Sequence, residues 1–160
     1  MKLLSVILLC ALTLGSLSAQ ELTLDACRHA LKNALRLNHR DSLASAYCHL
    51  GEYYAYRNSD SARYYFEKGL SHVRRSDVPL YCTLLINTAE TYFAKGDLDE
   101  AVRRFRFAYR EVERLQAAVE YQVTALSSLG VIYRRQAMPD SALVCYTQAL
   151  QALEPVDLPD

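Results

Sequence analysis

Apolar residues at Leu24, Cys27, Ala30, Leu31, Ala34 and Leu35 keep the i, i+3, i+4, i+7 rhythm that turns one stripe of an α-helix toward a core. This predicts an amphipathic first helix over Glu21–Leu37. The rhythm then recurs as far as Leu153, cut by short polar or helix-breaking runs. Asn38-His39-Arg40-Asp41 is the first, with Asp41 or Ser42 expected to cap the next helix. Asn58-Ser59-Asp60, Ser76-Asp77-Val78-Pro79, Gly96-Asp97 and Pro139-Asp140-Ser141 follow. Gly ends helices, Asp and Asn cap them, and Pro fits their first turn. The stretch Arg110–Tyr121 has neither Gly nor Pro. A helix is nonetheless expected to end near Leu115–Val119, since a straight continuation would carry the following segment away from the preceding one.

Within Cys82–Leu115 the positions Ala89, Tyr92, Gly96, Ala101, Phe105 and Ala108 form a skeleton. The alanines suit close approach of two antiparallel helices, and the aromatic residues fill the space between. The skeleton returns upstream as Leu50-Gly51, Tyr54, Ala62, Phe66 and Gly69, and downstream as Leu129-Gly130, Tyr133, Ala142, Tyr146 and Ala149. Gly51 to Ala62 is eleven residues, one fewer than Ala89 to Ala101 or Gly130 to Ala142. The pattern resembles the tetratricopeptide repeat, a helix–turn–helix unit of about 34 residues. The equivalent positions Gly51, Ala89 and Gly130 are 38 and 41 residues apart, so it is similar to the extended-period members of that family. The resemblance implies an all-α fold: an α-solenoid of three helix hairpins, over about 42–75, 80–116 and 118–153, in a right-handed superhelical stack. An N-terminal capping helix at 21–40 precedes them, and a tail at 154–160, with two prolines, follows.

The resemblance also implies that the first helix of each hairpin lines a concave face and that this face binds a protein or peptide. Carried over in register, repeat one contributes Ser45, Cys48, Glu52 and Tyr56. Repeat two contributes Thr83, Ile86, Asn87, Glu90 and Phe93, and repeat three Thr124, Ser127, Val131 and Arg134. The Lys/Asn/Lys/Arg clamp that chaperone-binding members use for a terminal carboxylate has no counterpart at these positions. Acidic, hydroxyl and aromatic groups suit instead an extended or helical segment with basic or polar side chains. Glu52 and Glu90 share a register position and are expected to be neighbours. They are read as solvated groove walls, because a catalytic carboxylate pair needs an environment that drives the two pKa values apart. Tyr53, Tyr56 and Tyr64 fall off the packing register and are interface candidates. Arg103, Arg106, Arg110 and Arg114 form a stripe expected to be convex and wet, with Glu111, Glu113 and Glu120 interspersed.

Composition adds limits. Lys plus Arg equals Asp plus Glu at 18 each, so charge gives no reason to expect nucleic acid. Lys2, the apolar run Leu3–Leu14 and the small residues up to Ala19 are laid out as a secretory signal peptide at 1–19, cleaved near Ala19. This places the mature chain in the periplasm or outside the cell, with no transmembrane span. Four cysteines remain, Cys27, Cys48, Cys82 and Cys145, which permit three complete pairings; their helical, apolar settings favour buried thiols. Cys48 and His49 are sequential and diverge by about 100° on a helix, so no metal site is expected there. No catalytic residue and no cofactor is expected, for want of any hydrolase, zinc or phosphate-loop motif. The apolar residues Leu143, Val144 and Leu150 have no covering helix after them, which leaves an edge able to pair with a second copy. The expected function is an exported, non-catalytic binding scaffold. The alternative is the sensory fragment of a membrane-associated regulator.

Overall fold

The computed structural model describes residues 23–153. The expected leader at 1–19 and the tail at 154–160 lie outside them. Seven helices occupy the described residues: α1 (Leu24–Leu37), α2 (Arg40–Ala55), α3 (Ser59–His72), α4 (Val78–Lys95), α5 (Leu98–Arg114), α6 (Val119–Arg135) and α7 (Pro139–Leu153). The fold is an all-α solenoid of helix hairpins, α2/α3, α4/α5 and α6/α7.

Helix ends follow local chemistry. Thr23 Oγ1 accepts from the Ala26 N–H, which starts α1 at Leu24. The expected cap at Asp41 or Ser42 is displaced: both lie inside α2, and His39 caps it by accepting from the Ser42 N–H at 3.4 Å. Asn38 has already taken the left-handed conformation (φ 46°) that ends α1, so the break is two residues long and not four. Asn58, Asp77 and Asp97 cap α3, α4 and α5 through their side chains, and Gly96 (φ 82°) ends α4. The Gly-free, Pro-free linker breaks as expected. α5 stops at Arg114 because Gln116 turns left-handed (φ 49°), which costs an L-residue roughly 1–2 kcal/mol.

Each helix packs on the next along the chain, and α4 also touches α2 and α6. The second helices α3, α5 and α7 do not touch one another. First helices are thus drawn together and second helices splayed, which curves the stack and puts the concave side on α2, α4 and α6. The small skeleton residues make this packing dense: Ala62, Ala89, Ala101 and Ala108 are fully buried, as is Phe105. α1 lies against α2, where the second helix of a preceding hairpin would stand, with Cys27 and Ala34 buried. All four cysteines of this region are buried and free, so they serve as small apolar residues. Burial pushes the Cys48 thiol up to about 12. Among the described residues no helix is long and apolar enough to cross a membrane.

Candidate binding groove

The three first helices enclose a groove of about 600 Å³. From the register expectation it takes Glu52 and Tyr56 of α2, Asn87, Glu90 and Phe93 of α4, and Ser127 and Val131 of α6. The rest of that set lies elsewhere. Cys48 and Ile86 are buried in the core cluster that runs through the hairpins. Ser127 holds the same position on α6 and stays half-buried. Ser45, Thr83 and Thr124 sit nearer the helix starts and do not line the groove; the Thr124 hydroxyl donates to the Glu120 carbonyl at 2.7 Å. Arg134 is exposed and lies outside the groove. Its neighbour Arg135 enters the groove instead, its guanidinium 4.5 Å from the centre of the Phe93 ring.

Tyr146 and Phe66 also border the groove, although they belong to second helices; Tyr146 is half-buried, whereas Phe66 is 1% exposed and lies beneath the wall. Both pack directly against a glycine of the first helix. A Cβ on Gly51 would overlap the Phe66 ring, and one on Gly130 would lie 2.5 Å from Tyr146 Cε1. In the middle hairpin Ala89 carries that Cβ, and Phe105 is sealed behind it. The two glycines were the available sequence signal: a residue without a side chain on the inner helix lets a ring on the outer one pack directly against the inner backbone.

The two carboxylates differ. Glu52 accepts a weak bond from the Cys48 thiol at 3.6 Å. Glu90 keeps solvent contact, but the groove walls strip enough water from it to raise its carboxyl above the ordinary value of 4.5. No Lys or Arg pairs with either among the described residues. Near the groove mouth Tyr56 is 97% exposed, and Tyr64 on the outer side is also exposed. Tyr53 is half-buried, edge-on to Tyr54 and under the Arg57 guanidinium at 4.1 Å, so it packs rather than standing free.

The arginine stripe is exposed as expected, with Arg103 paired to Glu100 and Arg114 to Glu111. Glu111 departs from expectation. It is buried, and takes hydrogen bonds from Tyr81 Oη at 3.1 Å and from Arg114 at 2.9 and 3.0 Å. These donors hold its carboxyl below the ordinary value, Arg114 foremost. Among the described residues no His, Cys, Asp and Glu cluster could hold a metal ion.

Residues 80–154 match the tetratricopeptide repeat family, a span that runs through α4, α5, α6 and α7. No curated protein matches the chain. Tetratricopeptide repeats are a protein-interaction module, typically without catalysis.

Proposed function

We propose that this chain is an exported, non-catalytic scaffold that holds a segment of another protein in the groove of α2, α4 and α6. The observation that carries the reading is the groove itself: Glu52 and Glu90, neither in an ion pair among the described residues, line it together with Phe93 and the half-buried Tyr146. A desolvated charge that its own chain leaves unpaired is stabilised by an incoming opposite charge. The segment that fits carries a Lys or Arg for Glu90 and Glu52, flanked by apolar or aromatic side chains for the rings. Affinity capture from an extract of the source organism, read by mass spectrometry, tests this. Partners retained by the wild type and lost by Glu52→Lys/Glu90→Lys support groove binding; an unchanged partner set overturns it.

Export rests on Lys2 and the apolar run before Ala19. Sequencing the N-terminus of the mature protein tests it, with Gln20 as the expected first residue. The outer face of α7 exposes Leu143, Val144, Leu150 and Leu153, each by more than half its surface. In a repeat stack such a face is ordinarily covered, and we propose a second copy as its cover. A monomeric mass by light scattering at all concentrations would overturn that, and would favour the alternative that the chain works as the sensory part of a larger regulator.

A further inference from the structure

The curvature that closes the groove opens the opposite side. Because α3 and α5 do not touch, a second cavity of about 600 Å³ lies between them over α4. Its floor is apolar, with Leu70, Leu85 and the partly exposed Phe107. Four arginines stand around it, Arg40, Arg74, Arg75 and Arg104, and no carboxylate lines it.

Two of the four are anchored by a hydrogen bond at Nε. Arg40 donates through Nε to the His72 carbonyl at 2.6 Å, and Arg104 donates through Nε to Glu100 Oε1 at 2.6 Å; Arg74 makes only an ion pair, its Nε 3.4 Å from Asp41 Oδ1. A guanidinium has five N–H donors in a fixed fork. Anchoring at Nε orients the fork and leaves the terminal nitrogens with no hydrogen-bond partner among the described residues. Arg75 lies 5.9 Å from the Tyr81 ring centre. The nearby buried carboxylate, Glu111, is already committed to Arg114 and Tyr81. Asp41 thus compensates Arg74 and Glu100 compensates Arg104, while Arg40 and Arg75 have no ion-pair partner among the described residues; the side chains fixed at Nε meet part of their ordering cost at binding in advance.

We propose that this convex cavity binds an acidic segment of a partner protein in which carboxylates alternate with aliphatic or aromatic residues. Carboxylates match the guanidinium forks in bidentate geometry. Apolar side chains between them match Leu70, Leu85 and Phe107, a floor that a small inorganic anion would not use. The recess between two helices also keeps a flat bilayer away from that floor. The site is independent of the groove on the other face, so both can be filled at once.

Fluorescence anisotropy on the full chain tests this, with a labelled peptide of alternating Glu and Leu as probe and the same peptide with Gln for Glu as control. The acidic peptide is expected to bind, at least about tenfold more tightly than the control. Arg74→Gln/Arg75→Gln and, separately, Phe107→Ser are each expected to weaken it by a comparable factor, whereas Glu52→Gln/Glu90→Gln leaves it unchanged. Helical circular dichroism monitors the fold of each variant, and the comparison of the two peptides on the wild type needs no variant. Equal binding of the two peptides overturns the proposal. So does binding indifferent to Phe107→Ser but displaced by sodium phosphate, which marks a site for small anions. Arginine-dependent sedimentation with anionic phospholipid vesicles, without peptide binding, overturns it in favour of a membrane surface.

Discussion

Glu90 on α4 and Glu111 on α5 belong to one hairpin and differ in what surrounds them. Glu111 is the more buried, yet its carboxyl is held down, because Arg114 and Tyr81 reach it first. Glu90 is exposed, yet its carboxyl is held up, because the groove walls displace water from it and the groove's one cation, Arg135, lies over Phe93 and forms no ion pair with it. Exposure alone would rank the two the wrong way round. A charge satisfied from within is part of the structure, whereas a charge left without an ion pair on a groove wall is available to what enters. The same division separates the faces of the stack: Glu111 is braced on the outer side, and Glu90 waits on the inner one.

The most severe way to erase this contrast is to remove the wedge that holds α4 and α5 apart. Phe105→Ala leaves a cavity at a site with no exposure and should lower unfolding stability by about 3–5 kcal/mol in urea denaturation. Next comes Glu111→Ala, which leaves the Tyr81 hydroxyl and Arg114 without their acceptor and should cost about 1–3 kcal/mol. Its pH signature is specific. A depressed carboxyl contributes stability above the ordinary value of 4.5 and loses it as pH falls through the folded-state value, so wild type and variant converge in acid. Gly130→Ala tests the direct packing of Tyr146 against the inner backbone. The ring must move, at a cost of about 1–3 kcal/mol, while the reverse change Ala89→Gly costs nearer 1 kcal/mol and opens a window over Phe105.

The smallest effect carries the opposite sign. Glu90→Gln should raise Tm slightly at neutral pH, because a carboxyl whose folded-state pKa is raised favours the folded state while protonated and opposes it once ionised. The gain should vanish below the ordinary value of 4.5, since there both states of the wild type hold the proton. A variant less stable than wild type at neutral pH would show that Glu90 has an internal cation after all, and the contrast with Glu111 would fail.

Much of the fold was readable along the chain because its signals are local. Gly96-Asp97 ends one helix and caps the next within two residues, and Asn58 and Asp77 cap their helices by the same chemistry. The alanine skeleton named the buried helix contacts. The cap at His39 was missed because an imidazole accepts hydrogen bonds less characteristically than the Asp and Ser that follow it. Of the groove, register placed Glu52, Glu90 and Asn87. Cys48 and Ile86 lie in the core cluster instead, and Arg135 rather than Arg134 lines the groove. These placements depend on packing between hairpins, which no local pattern encodes.

By itself the order of residues determined that these helices form, where most of them stop, and that like hairpins pack against one another, because caps, glycines and apolar stripes act over one or two turns. The tertiary structure decided that inner helices touch while outer helices part. Curvature is a sum of contacts between residues about forty positions apart, and from it come the groove that strips water from Glu90 and the cavity that gathers Arg40, Arg74, Arg75 and Arg104 from three separate parts of the chain.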